Sequence, residues 1–324
     1  MIYSILKVWV RLAAWIFCRK IIINKREILK EKGPLLIACN HPNSFLDSVI
    51  LDILFEQPLW SLARGDSFIN RPVSYFFNAV RIMPVYRTSE GVENLSENYK
   101  TFEACLNIFK QNGLVHIFSE GKCINEWHLR PLKKGTARLA IKAWEENIPL
   151  KILPAGINYS SFTRFGKNVF INFGEVITKE DIDWNSTEGT RNLSFNNLLR
   201  RQLQQLIFEI DKDDKAKQST ILEAKPSRLA KILLTVPAAI GWIIHTPLYL
   251  PVKKFSLKKY SKTDHYDSVL AGILLFAYPV YLLLVILLAF VIIKTAWAVL
   301  LFIFIPFTAW SYVQLKEQLD KQVL

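Results

Sequence analysis

From Val269 to Ile293 the chain runs twenty-five residues without a charged side chain. A helix of that length rises about 37 Å, more than the ~30 Å hydrocarbon core of a bilayer. A stretch so uniformly apolar has no solvent face, so lipid is its natural surrounding. Ala296 to Val313 is apolar enough to cross back after a turn near Lys294, which predicts a transmembrane helical hairpin. Lys253, Lys254, Lys258, Lys259 and Lys262 precede the pair, and Lys316 and Lys321 follow it. The positive-inside rule therefore places both flanks in the cytoplasm, against the inner membrane. Residues 229 to 252 are apolar but interrupted by Pro237, Gly241, Pro247 and Pro251, with Lys231 inside. Such a segment reads as interfacial or re-entrant rather than as a clean span.

The other end of the chain is amphipathic. Lys7 and Arg11 lie four residues apart on one stripe of MIYSILKVWVRLAAWIFCRK, with Ser4 beside them, while Ile5, Trp9, Leu12, Trp15 and Ile16 supply an apolar face. The run lacks the uninterrupted apolar core and cleavage site of a secretory signal, and it suits a helix lying in the headgroup region.

Between these ends, about residues 33 to 210, short apolar runs alternate with segments of helical length. The runs are 35–39, 59–63, 82–86, 114–118, 150–157 and 168–173; helical patterns follow residues 44, 67, 92, 136 and 192. That alternation predicts an α/β domain, a mostly parallel sheet covered by helices. At 211–220, DKDDKAKQST, only Ala216 is apolar, so the segment reads as a linker. The expected organisation is an interfacial helix region (1–32), an α/β domain (33–210), a polar linker (211–227) and a membrane-associated region (228–324).

Composition narrows function without choosing it. Lys and Arg number 41 against 28 Asp and Glu, an excess that attracts phosphate, whether in nucleic acid, anionic lipid or a small substrate. No helix carries the clustered polar and basic residues of a base reader, and nucleic acid does not explain an uncharged span. The cysteines, Cys18, Cys39, Cys105 and Cys123, are scattered through apolar contexts, which indicates neither disulfides nor a zinc site.

The sharpest local signal is Asn40-His41-Pro42-Asn43-Ser44-Phe45-Leu46-Asp47, which follows the run LLIAC and opens an apolar helix. Loops beyond strand ends are where α/β folds hold ligands. Asp47 falls in the helix's first turn, where the dipole stabilises a carboxylate. An ionised Asp beside imidazole fixes its tautomer and stabilises the imidazolium formed when the other nitrogen takes a proton. No G-x-S-x-G elbow and no second His or carboxylate at metal-binding spacing accompanies the pair, so hydrolase and metalloenzyme readings lack their parts.

Three later blocks follow in order: Ile82-Met83-Pro84-Val85-Tyr86-Arg87, Phe118-Ser119-Glu120-Gly121 and Ile152-Leu153-Pro154-Ala155-Gly156. Arg130 to Arg138, RPLKKGTAR, lies between the last two. Together with the His-Asp pair this succession resembles the motifs of the glycerol-phosphate and lysophospholipid acyltransferase family, over about residues 33 to 175. The resemblance implies His41 as general base, Asp47 as its orienting partner, and Arg87 as a contact to the acceptor's phosphate. Lys133 and Arg138 join Arg87 as phosphate-binding candidates, and Glu120 and Gly121 join them as substrate-binding ones. Glu120 suits a hydrogen bond to acceptor hydroxyls or to a basic neighbour. Backbone amides near Gly121 or after Asn43 are the candidate oxyanion donors.

The implied reaction moves an acyl group from acyl-CoA or acyl-carrier protein to 1-acylglycerol 3-phosphate, with no metal or cofactor, at a cytoplasm-facing site. Five residues rather than the family's four separate His41 from Asp47, Ser119 stands where proline is usual, and Arg81 where glycine is frequent. The longer spacing resembles the branch that acylates glycerol 3-phosphate or dihydroxyacetone phosphate, the alternative activity. A non-catalytic lipid-binding membrane protein would keep the apolar segments without needing the His-Asp pair.

Overall fold

The computed structural model describes residues 2–86 and 97–320; Arg87 and Lys321 lie outside the described residues. Seven strands form one sheet in the order β1-β7-β6-β2-β5-β3-β4. They are β1 (Cys18–Ile23), β2 (Leu35–Cys39), β3 (Leu59–Arg64), β4 (Ile82–Val85), β5 (Leu114–Phe118), β6 (Lys151–Tyr159) and β7 (Lys167–Phe173). All neighbours run parallel except β6 and β7. At the centre, β2 is buried along its whole length, as a strand covered on both faces must be.

One face of the sheet is covered by α4 (Glu97–Lys110), α5 (Lys134–Glu145) and α6 (Glu188–Leu206). The other carries α1 (Ile2–Phe17), α2 (Phe45–Leu54) and α7 (Lys215–Leu222), while α3 (Arg71–Ala79) packs near β4. The mostly parallel α/β architecture read from the alternation is the one observed. Each expected apolar run is a strand, with ends shifted by up to two residues.

Two segments differ from expectation. Residues 18–23 were assigned to the N-terminal helix region but form β1, an edge strand parallel to β7. The β-branched run Ile21-Ile22-Ile23 gains a ladder there that a helix could not offer it. The polar stretch at 211–227 contains α7, capped by the Asp214 side chain on Lys217 N. Gln218 donates to the carbonyls of Asp211 and Lys212, and Leu222 is fully buried, so this stretch is folded onto the domain.

Three C-terminal helical segments are long and apolar enough to cross a membrane: Arg228–Tyr260, Tyr266–Ile293 and Ala296–Leu315. They comprise α8 (Arg228–Tyr260), α9 (Tyr266–Ile293) and α10 (Leu301–Leu315) with the 3-10 turn before it. Where a re-entrant stretch was expected, α8 is one helical run that keeps Pro237, Pro247 and Pro251 inside. It packs on its neighbours at Gly241, which lies against Thr308 of α10, and at Ile244, whose carbonyl accepts from Tyr281 of α9. Lys294 takes a left-handed conformation between α9 and the turn into α10.

The charged side chains of α1 reach onto α2. Arg11 donates twice to the Ile53 carbonyl at the end of α2, and Tyr3 bonds Asp52. Ile5, Val8, Leu12 and Trp15 are left exposed.

Candidate active site

His41 and Asp47 meet at the C-terminal end of β2. Nδ1 of His41 lies 2.8 Å from Oδ2 of Asp47. A carboxylate only accepts, so Nδ1 carries the proton and Nε2 presents a lone pair. The ring stacks on Phe118, centroids 3.8 Å apart and nearly parallel, and retains 15% side-chain exposure. Asp47 is fully buried. Its oxygens also accept from Asn43 N (2.8 Å) and from the Tyr159 hydroxyl (2.7 Å), which holds the carboxylate on both sides.

The five-residue spacing closes because the loop coils on itself. Ser44 adopts φ 52°, ψ −141°, a conformation that favours glycine and costs a non-glycine residue about 1–3 kcal/mol. Tertiary bonds hold it there: Ser44 N points at Cys123 Sγ, and Ser44 Oγ lies 2.8 Å from His265 Nδ1. Ser44-x-x-Asp47 has the spacing of a helix-capping box, yet both side chains are spent on the site and neither caps α2.

Glu120 lies beside this pair, in the loop after β5. Its Oε2 accepts from His41 N and its Oε1 from Arg130 N, each at 2.9 Å. Both oxygens are therefore engaged with main-chain amides, and burial pushes its carboxyl pKa up against the lowering effect of those two bonds. Gly121 has φ +65°, and a Cβ there would come within 3.0 Å of the Lys133 side chain, whose stem covers the turn. Its amide bonds the Phe118 carbonyl, and at the start of α2 the amides of Leu46 and Asp47 bond Ser268 Oγ and the Ser44 carbonyl. Lys133 is exposed just before α5, joined to the site by its amide on Ser119 O; Arg138 is exposed on the next turn of that helix. The structure thus gathers His41, Asp47, Glu120 and Gly121 closely, with Lys133 at their edge and Arg138 further along α5.

Several contributors have roles that the sequence alone does not assign. Asn40 exchanges two hydrogen bonds with the main chain of Ile157, fixing the end of β2 against β6. Gly156, one residue before, leaves room for α6, because a Cβ would lie 2.6 Å from the Leu206 carbonyl. Asn125 donates to Pro42 O, so the loop after β5 also packs on the His41 loop.

The least expected clamp comes from the start of α9. Asn43 donates to Asp267, Ser268 Oγ donates to Asn43 O at 2.9 Å, and Asp267 pairs with Lys167 of β7, both fully buried. Behind Phe118, buried His116 lies 2.6 Å from Ser61 Oγ, and desolvation, with a smaller effect from His41, pushes its pKa down to about 3. All four cysteines are buried and free, and no cluster able to hold a metal ion occurs among the described residues.

Residues 20–158 match the model of the Acyltransferase family. The crystal structure of the 1-acyl-sn-glycerophosphate (LPA) acyltransferase PlsC from Thermotoga maritima is similar at 14% identity, covering 63% of this chain and 79% of that chain, with a TM-score of 0.41. That is too loose a likeness to bear on substrate. No curated protein matches the chain.

Proposed function

We propose that this chain, whose residues 20–158 match the Acyltransferase family model, esterifies 1-acylglycerol 3-phosphate from an acyl thioester in phospholipid synthesis, with His41 as general base. The observation that carries this reading is the buried Asp47 carboxylate bonded to His41 Nδ1, which leaves Nε2 basic at a partly open position.

In the proposed reaction, Nε2 takes the proton of the acceptor hydroxyl as its oxygen attacks the thioester carbonyl. The positive end of the α2 dipole, which faces this loop, stabilises the tetrahedral oxyanion. The C–S bond then breaks, and the thiolate takes the proton from the imidazolium. A thiol of pKa near ~8.5 leaves without a second acid. Asp47 stabilises the imidazolium, and Glu120 holds the main chain of the His41 loop rather than the substrate. Arg87, by its motif, binds the acceptor phosphate with help from Lys133 and Arg138, all three being suited to anions.

The monoacylated acceptor is favoured by the clamp between α9 and the His41 loop, which ties the site to a membrane segment and so to lipid arriving from the cytoplasmic leaflet. The five-residue spacing supports the alternative, glycerol 3-phosphate or dihydroxyacetone phosphate. A panel assay separates them: purified protein is offered lysophosphatidic acid, glycerol 3-phosphate, dihydroxyacetone phosphate and a phosphate-free lysolipid, each with acyl-CoA and acyl-carrier-protein donors. Lysophosphatidic acid is expected to react fastest. Turnover of glycerol 3-phosphate without lysophosphatidic acid would replace the acceptor, and turnover of only the phosphate-free lipid would remove the role given to Arg87.

A further inference from the structure

Between α1, α2 and the three C-terminal helices lies a cavity of about 1450 Å³, larger than the ~300–1,000 Å³ of ordinary small-molecule pockets. Trp9 of α1, Ile50 of α2, Tyr249 of α8, Leu275 of α9 and Trp310 of α10 show how each helix supplies an apolar wall. The lining is not uniformly apolar. It includes Arg19, Lys20, Arg26, Lys253 and Lys316 and no carboxylate at all.

Of these cations Arg19 is buried, and Lys253 and Lys316 are half-buried. Arg19 is only 5% exposed; one of its Nη atoms bonds the Lys316 carbonyl, and its Nε has no partner. Lys253 lies over the Tyr249 ring and Lys316 over Phe165 and Tyr312. Burial, then the neighbouring Arg164, Lys167 and Lys253, pushes Lys316 down to about 8, while Asp267 acts the other way. The carboxylates near this end are already engaged: Asp267 with Lys167, and Glu317 with Arg164. Glu223 acts on Arg19 without forming an ion pair. Asp320 is taken up by Ser161 and Thr163, so among the described residues Arg19, Lys253 and Lys316 have no carboxylate bonded to them and together favour a bound anion.

An apolar chamber ending in unneutralised cations matches an amphiphile with a negative head and long tails. We propose that this cavity seats one diacyl phospholipid of net negative charge from the bilayer, its phosphate held by Arg19, Lys253 and Lys316 and its chains lying among α1 and α8–α10. The lining reaches Phe45 and Leu46 beside Asp47 but includes neither His41 nor Asp47, and the proposal does not rest on the reaction proposed above. Its lipid fixes the C-terminal helices against the domain whose catalytic loop α9 clamps.

The test uses full-length His41→Ala protein in detergent, which removes turnover from the readout. Native mass spectrometry measures retention of phosphatidylglycerol, diacylglycerol and lysophosphatidic acid. Phosphatidylglycerol is expected to be retained one per chain, at least tenfold more tightly than diacylglycerol. Lys253→Gln with Lys316→Gln should weaken it tenfold or more, whereas Lys258→Gln with Lys259→Gln, exposed on α8 and outside the cavity, should not. Leu275→Trp, which narrows the chamber at one wall and keeps every charge, should also weaken retention of the lipid. Equal retention of diacylglycerol, equal loss in the control pair, or undiminished binding in Leu275→Trp would overturn the proposal. Preference for lysophosphatidic acid would overturn it in favour of a substrate-loading seat.

Discussion

Asp47 gathers three hydrogen bonds, two from its own loop at His41 and the main chain of Asn43, and one from Tyr159, 112 residues away. A buried carboxylate held this way stays oriented when the imidazole charges. Tyr159→Phe removes a hydrogen bond to a charged group, worth about 1.5–3 kcal/mol. It should lower kcat at least tenfold with little change in acceptor KM, and wild-type kcat would mean that Tyr159 only fills the core. His116 supplies a second residue-scale prediction. Its folded pKa of about 3 lies below the ordinary 6.5, so between those values the unfolded chain binds a proton that the folded one refuses. Its stabilising contribution is complete above pH 6.5 and is lost as pH falls toward 3, at about 1.4 kcal/mol per unit. Equilibrium unfolding in detergent should show His116→Gln losing less stability than wild type over that window. Parallel pH curves would contradict the assignment.

At the scale of elements, the contacts that complete the site are the ones that could not be read from the chain. The α/β alternation, the strand runs and the His-Asp loop were legible because each rests on local period or spacing. β1 was not, because CRKIII continues an apolar helix without a breaker and its pairing partner is β7, far along the chain. Nor was the clamp, for Asn43 and Asp267 are 224 residues apart and a lone Asp at a helix start has an ordinary explanation. The spare residue between His41 and Asp47 was visible as a departure, but its accommodation by Ser44 was not. Asp267 and Lys167 form a fully buried pair, and removing one partner of such a pair costs about 3–5 kcal/mol. Asp267→Ala should therefore lose that much stability as well as activity. Lys167→Met combined with Asp267→Leu should recover stability while kcat stays low, because the Asn43 amide still lacks its acceptor. Full recovery of kcat in the double variant would show that the pair matters only for folding.

For the whole molecule, the membrane helices and the α/β domain form one working unit. α1 turns its charges onto α2 and leaves its apolar face outward, while the start of α9 enters the site itself. This places the proposed base at a strand end next to segments suited to lipid, as the proposed esterification of a membrane-borne acceptor needs. The account stands or falls on the base. The most direct measurement is single-turnover acyl transfer by purified wild-type and His41→Ala proteins with a labelled acyl-CoA and lysophosphatidic acid, with circular dichroism and membrane association recorded on the same preparations. Loss of a general base predicts a rate lower by about 10²–10⁴-fold in a variant that is otherwise folded and membrane-associated. A His41→Ala protein that transfers acyl groups at the wild-type rate would contradict it.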